Sequence, residues 1–354
     1  MASPGSLGIG KIYGIPIELN WIFVIMILFL LYVDLFTGIL FILLFVCVLI
    51  HELSHSVTAV RNHIRVSRII LLPIGGVSVI DSVRIDPKVE FNISIAGPVM
   101  SLFLGGVFGV IAVILPPGII EQIVNTLFAL NIFLGLFNII PAFPMDGGRI
   151  FRSYLQRRRS LFDATMLTAK ISRIVLGIIV IATLAFAAFY TSYPLYGRVY
   201  DLVITLIIAM FLYGGIKAEE TSMVISRETA GMKIGQFASR HFAYIKPNAS
   251  IRQLYEKIKA SGEHTVLTSA SGNCMVVNLG KTKNSEASTV SQIATPIPVF
   301  DARMPVSEAL VRLSSAEIGM AAVKKRGKLS GIVTYPHLQS VIALHMAGKK
   351  GRKV

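Results

Sequence analysis

Six stretches of this chain run for 15 to 30 residues without one Asp, Glu, Lys or Arg: 19–33, 35–51, 91–120, 122–145, 174–197 and 202–216. A helix needs roughly 20 mostly apolar residues to cross a bilayer, so these stretches predict six membrane-spanning helices. The first and last are short and lean on their flanks. Charged residues make up 15% of the 354 and hydrophobic ones 54%, where soluble proteins average about 25% charged. That balance excludes an ordinary water-soluble enzyme, and a disordered or collagen-like chain. Cys47 lies in an apolar run and Cys274 far away in a polar region, so no disulfide framework is expected. The first apolar run lacks a basic leader and a small-residue cleavage site, so no cleavable signal peptide is expected.

Loop charge sets the expected orientation, because cytoplasmic loops collect Lys and Arg. The loop after the second stretch has Arg61, Arg65, Arg68, Arg84 and Lys88, and the loop after the fourth has Arg149, Arg152, Arg157, Arg158 and Arg159. The other connections hold Asp34, then Glu121, then Arg198 with Asp201. A multi-pass protein of the cell membrane with both termini in the cytoplasm is expected. Residues 66–81, VSRIILLPIGGVSVID, are β-branched and apolar on both sides of Gly75-Gly76, the pattern of a β-hairpin. So apolar a hairpin is expected against or partly in the membrane, covered by the helices.

Beyond the last stretch the chain changes character. Residues 221–354 carry 19 basic and 7 acidic side chains, a net charge of +12. After a polar linker over 221–230, the segments 243–277 and 299–334 share one layout: short strand, Pro-containing turn, amphipathic helix, two strands around a polar turn. Such β-α-β-β repeats pack as a pseudo-symmetric pair, since one copy alone cannot bury its apolar face. The expected fold is an α-helical polytopic membrane domain over 1–220, with six transmembrane helices and a membrane-associated β-hairpin. A cytoplasmic α/β tandem domain over 231–345 and a basic tail over 346–354 follow. Beside a membrane, the positive charge attracts anionic lipid headgroups at about 1 kcal/mol per nearby cation. Nucleic acid is not expected as a partner, because neither interleaved aromatics nor a known motif accompanies the charge.

The chemistry sits in the membrane half, at HELSH, residues 51–55. On a helix His51 and His55 lie one turn apart on one face, able to share a zinc ion, with Glu52 beside them. That set suits metal-assisted peptide hydrolysis, the glutamate accepting a water's proton and passing it to the leaving amine. The plainer alternative is a helix end whose histidines reach toward water. Glu52 follows a 17-residue uncharged run from Leu35, however, and an ionisable residue there costs about 2.5–3.5 kcal/mol unless paired, metal-bound or hydrated. A catalytic zinc needs a third ligand and an open position. The best candidate is Asp146 in NIIPAFPMDGGR, residues 138–149. Pro141 and Pro144 are expected to break the fourth helix, and Gly147-Gly148 to permit a tight turn that swings the carboxylate into the bundle.

HELSH in a membrane helix, followed by Asn138, Pro141, Pro144, Asp146 and Gly147 in the order N-x-x-P-x-x-P-x-D-G, resembles the site-2 protease family of intramembrane zinc metalloproteases. Ala96-Gly97-Pro98 in the third stretch is similar as well, and the likeness covers residues 10–220. The resemblance implies His51, His55 and Asp146 as ligands of one zinc ion, Glu52 as general base, and Asn138 as a holder of substrate or oxyanion. Asn131 and Asn138 share a helix face, and both also suit hydrogen bonding between helices. The tandem repeat resembles a pair of CBS domains, named after cystathionine β-synthase, which a subgroup of site-2 proteases carries. That likeness implies an adenine nucleotide as ligand or, equally, a homodimerisation module. GIVTYPHL, residues 331–338, has His337 where the family usually has a ribose-contacting Asp, and MVVNLGKT in the first copy also departs from the pattern.

A peptide bond inside a membrane helix is shielded and hydrogen-bonded, so cleavage requires local unwinding of the substrate and access for water. The expected substrate is a membrane-spanning protein cut near the cytoplasmic side, and the family likeness implies prior shortening by another protease. The hairpin edge offers a strand on which an unwound segment can lie, and Pro at Ile74 or Val77 tests it. Two other classes remain: a CBS-regulated channel or transporter, which needs polar groups along a path through the bilayer, and an inactive membrane scaffold, against which the intact Glu52 argues.

Overall fold

The computed structural model describes residues 5–73, 75–80, 85–189, 195–263, 265–270, 273–277, 279, 289–314, 316 and 318–350. The chain divides into two compact units, Met1–Val224 and Ile225–Val354. The first opens with two strands, β1 (Ser6–Ile12) and β2 (Ile15–Asn20), then helices α1 (Trp21–Val33) and α2 (Leu35–Arg61). The hairpin β3 (Val66–Leu72) and β4 (Gly75–Ile80) follows, then α3 (Pro87–Ile114), α4 (Ile119–Ile139), α5 (Asp146–Leu155), α6 (Leu161–Phe189) and α7 (Leu195–Glu228).

The expected hairpin is present, with Val66 opposite Ile80 and Leu72 opposite Gly75. It belongs to a four-stranded sheet in the order β1-β2-β3-β4, β2 running parallel to β3. The two N-terminal strands were not expected: IPIELN is too short and mixed to read as a strand apart from its partner β3. Ile15, Ile17, Ile69 and Leu71 are buried from the sheet, and Ile15, Ile69 and Leu71 share a core with Phe23, Phe45 and Ile93 of α1, α2 and α3. β4 stays a sheet edge.

Five helices are long and apolar enough to cross a membrane, Leu35–Arg61, Pro87–Ile114, Ile119–Ile139, Leu161–Phe186 and Val199–Glu228, while Trp21–Val33 is shorter. Asp34 ends α1 and caps α2, its carboxylate accepting from the backbone N–H of Phe36 at 3.3 Å and Thr37 at 3.1 Å, which satisfies donors a helix start leaves open. α6 and α7 extend well past the uncharged stretches. Their polar ends stay helical because they pair: Arg173 with Glu220, and Glu219 with Arg149 and Arg152. The stretch 221–230 accordingly continues α7 to Glu228.

In the second unit, β5 (Ala243–Tyr244), α8 (Ile251–Ser261), β6 (Val266–Ala270) and β7 (Asn273–Val277) form the first repeat. A short α9 (Val290–Ile293) and β8 (Ala294–Pro296) lead to β9 (Val299–Asp301), α10 (Val306–Ser314), β10 (Met320–Lys325), β11 (Lys328–Thr334) and α11 (Tyr335–Lys350). In each repeat the first strand pairs parallel to the second, which pairs antiparallel to the third. Lys349 and Lys350 close α11, with their side chains outside the described residues, as are Arg352 and Lys353 of the tail. Ile74, at the hairpin turn, also lies outside the described residues.

Candidate metal centre

The helical phase of α2 turns His51, His55 and Ser56 inward, and all three are buried. Asp146 comes from some ninety residues further along the chain, after a short reversal. α4 stops at Ile139, before Pro141, and α5 begins at Asp146 itself. Between them Phe143 is buried, and its N–H donates to Ser172 Oγ on α6 at 2.8 Å, which pins the loop. Gly147 and Gly148 lie in the first turn of α5 rather than in a tight turn after a helix end. Pro141 and Pro144 lie in the reversal between the two helices, and the glycines let α5 pack against the end of α4 and the loop, where a Cβ would strike the Ile139 and Ile140 carbonyls and Phe143.

One carboxylate oxygen, Asp146 Oδ2, lies 3.2 Å from His51 Nε2 and 3.1 Å from His55 Nε2, and the two nitrogens are 3.1 Å apart. His55 Nδ1 donates to the Ile93 carbonyl at 2.6 Å, and His51 Nδ1 meets Ser101 Oγ at 2.8 Å. A carbonyl only accepts, so His55 carries a proton on Nδ1, the ring placement that turns Nε2 toward the carboxylate. Lone pairs of three such groups this close repel unless a proton or a metal cation lies among them. Tetrahedral zinc with bonds of about 2.0–2.1 Å has ligand-to-ligand edges of about 3.3 Å, and the observed triangle matches that face. Gly97 of α3 faces the same point: a Cβ there would collide with both imidazoles, meeting His51 Nε2 at 2.6 Å. Two imidazoles, one carboxylate and a side chain reduced to hydrogen fit a zinc ion.

Glu52 sits beside this triangle under β4. Its Oε2 accepts from Ser78 Oγ at 2.7 Å, Ser78 in turn accepting from Ser56 Oγ at 3.1 Å. Gly76 leaves room for the glutamate, whose carboxyl carbon would lie 3.1 Å from any Cβ added there. Ser78 also lines a polar cavity of about 270 Å³ with Glu90, Ser94, Arg149, Arg152 and Glu219.

The helices that supply these groups are tied together. Arg152 of α5 donates from Nε to Glu90 Oε1 of α3 at 3.0 Å and from Nη1 to Glu219 Oε2 of α7 at 3.1 Å, and Gln156 donates to Glu90 Oε2 at 2.9 Å. Asn138, half-buried near the end of α4, donates to the Leu134 carbonyl at 3.0 Å. Asn131 is fully buried and donates to the Leu127 carbonyl at 2.8 Å. Asn138 therefore bonds back to its own helix, whereas Asn131 also reaches the Cys47 side chain of α2. Sequence reasoning missed Ser78, Ser101, Glu90 and Arg152. Only Ser101 left a signal, four residues after Gly97 and so on the same helix face.

Two histidines and a distant aspartate thus meet at one point inside a unit of membrane-length helices. The model of peptidase family M50 matches residues 39–118 and 116–182. A zinc metalloprotease of Methanocaldococcus jannaschii is 31% identical over 340 residues, 93% of this chain and 94% of its own. This chain belongs to peptidase family M50. Among solved structures, the site-2 protease from Methanocaldococcus jannaschii is 35% identical, spanning 61% of this chain and 95% of that one with a TM-score of 0.46. The CBS domain of a bacterial Mg2+ transporter is 16% identical, spanning 36% of this chain and 97% of its own with a TM-score of 0.30. As a member of family M50 the protein is an intramembrane zinc metalloprotease and a multi-pass membrane protein.

Proposed function

We propose that this M50 protease hydrolyses a peptide bond in or near a transmembrane segment of a membrane-spanning protein, with His51, His55 and Asp146 holding one zinc ion and Glu52 as general base. The observation that carries the reading is Asp146 Oδ2 within 3.2 Å of both Nε2 atoms. When bound, zinc supplies Lewis-acid polarisation of the scissile carbonyl and lowers the pKa of water. The Ile93 carbonyl and Ser101 hydroxyl hold both rings with Nε2 inward, since a partner on the far nitrogen orients a ligating imidazole. Glu52 takes the proton of the attacking water, and the Glu52 carboxyl then gives that proton to the leaving amine as the C–N bond breaks. Ser78, donating to Oε2, leaves Oε1 as the oxygen for proton transfer. The polar cavity walled by Ser78 and Ser94 is a route by which water reaches Glu52.

The edge strand β4 lies over Glu52, which supports its use as a template for the unwound substrate: an extended peptide adds to a free edge through backbone hydrogen bonds. Asn138 is then a holder of the substrate carbonyl, a role that requires its amide to exchange the Leu134 carbonyl for substrate. We further propose the division into a protease domain over 1–220 and a tandem CBS pair over 231–345, the latter supported by the repeated strand-helix-strand-strand order. The pair takes an adenine nucleotide or forms a homodimer. Both termini face the cytoplasm on the loop charges, so that the basic second unit meets anionic headgroups and cleavage releases a cytoplasmic domain.

The test is cleavage of a reconstituted membrane substrate by the purified protein, with Glu52→Gln, His55→Ala, Asp146→Asn and a zinc chelator in parallel. All four are expected to stop cleavage. Persistent turnover in Glu52→Gln removes the assigned mechanism.

A further inference from the structure

The two repeats of the second unit share a layout but not the chemistry of the turn between their last strands. In the first repeat the turn is closed by Ala270 opposite Asn273. In the second it is closed by Lys325 opposite Lys328, with Arg326 and Gly327 as the two turn residues. Like charges directly across an antiparallel pair destabilise it. Arg326 also sits at φ 51°, followed by Gly327 at φ 79°, a turn that favours Asn or Gly in its first position and disfavours a long side chain. The strand pairing asks for no like charges there, because the first copy pairs its strands antiparallel with the neutral Ala270 and Asn273 at that place.

These cations border an open surface pocket of about 730 Å³ together with Arg240, Phe242 and Leu329. The backbone bonds of Ser239 with Ile332, both at 2.8 Å, bring Arg240 and Phe242 alongside β11. Among the described residues no carboxylate lines the cavity, and Arg240, Lys325, Arg326 and Lys328 form no salt bridge. β11 runs from Lys328 to Thr334, so the turn is about 20 Å from the strand end next to His337. The cavity is therefore distinct from the second repeat's nucleotide position beside His337 that the CBS likeness implies, and it is independent of the protease reading.

We propose that this cavity binds a phosphoryl group, taken either from a soluble phosphorylated molecule or from a phosphomonoester lipid headgroup. Four cations without a salt-bridge partner among the described residues supply charge-assisted hydrogen bonds that suit phosphate oxygens, Phe242 and Leu329 give an apolar wall for the attached group, and a bound anion relieves the repulsion between Lys325 and Lys328. The test uses the full chain in phosphatidylcholine nanodiscs at about 0.15 M salt, where long-range attraction is largely screened, and follows hydrogen exchange of residues 320–334. One arm adds inorganic pyrophosphate, and the other replaces part of the lipid with phosphatidic acid. Slowed exchange at the turn with pyrophosphate supports the site with a soluble source, and slowing only with phosphatidic acid supports it with a lipid source. Arg326→Asn with Lys328→Ser should keep or raise the unfolding temperature of the unit, because both changes remove local conflict. Each lost contact should also weaken binding about tenfold. Unchanged exchange in both arms, or equal slowing in the double variant, would overturn the proposal.

Discussion

Glu52, the proposed general base, shows how little of a side chain's environment lies in its own neighbourhood of the chain. The helix gives it a place beside the two imidazoles, but its carboxylate is oriented by Ser78, 26 positions away on β4. Ser78→Ala should lower kcat about tenfold, the cost of one hydrogen bond to a charged group, while zinc content by elemental analysis stays at one per chain. Unchanged kcat would mean that the serine merely fills space. Gly97→Ala acts on the other side of the site. Its methyl group has no room beside His51 and His55, so the variant is expected to lose stoichiometric zinc and cleavage together, and normal zinc content in it would rule out a metal at the triangle's centre.

At the scale of elements, α5 matters most, because it carries Asp146 at its first residue and Arg152 two turns on. Arg152 ties α5 to Glu90 on α3 and to Glu219 on α7, and both Arg152 and Glu90 are shielded, with side-chain exposures of 12% and 10%. Removing one member of such a pair leaves a charge without its partner and costs about 3–5 kcal/mol. Arg152→Ala should therefore show a marked drop in unfolding temperature, and Arg152→Ala with Glu90→Gln should recover part of it. A double variant no more stable than Arg152→Ala would deny the pair any structural role. For β4, Val77→Pro should reduce cleavage of a helical membrane substrate far more than it reduces zinc content. Unaltered cleavage would exclude the edge as a substrate template.

For the whole molecule, two compact units predict two separable responses. A ligand that binds only the folded state stabilises it, by about 4 kcal/mol at a thousand times its Kd, and here the metal's donors all lie in the first unit. Stripping zinc with a chelator should lower the thermal midpoint of the membrane unit and leave hydrogen exchange in residues 231–345 unchanged. Loss of protection in both units would show that they unfold as one.

Length without charge determined the membrane class, and HELSH with a distant Pro-x-Asp-Gly pointed to the three side chains that the fold brings together, because zinc chemistry demands particular donors whatever the fold. The β3–β4 hairpin and the paired repeats were legible too, since alternation and turn residues act locally. Other features depended on distant partners and were not legible. β1 and β2 exist because β3 accepts β2 as a parallel neighbour. The charged ends of α6 and α7 remain helical because Arg173, Arg152 and Arg149 find Glu219 and Glu220. Ser78, Ser101 and the Ile93 carbonyl enter the site only when strand and helix close around it. Donor identity is a property of single residues, readable along the chain, whereas the 3.1–3.2 Å triangle that lets three of them share an ion is a property of packing between helices some ninety residues apart.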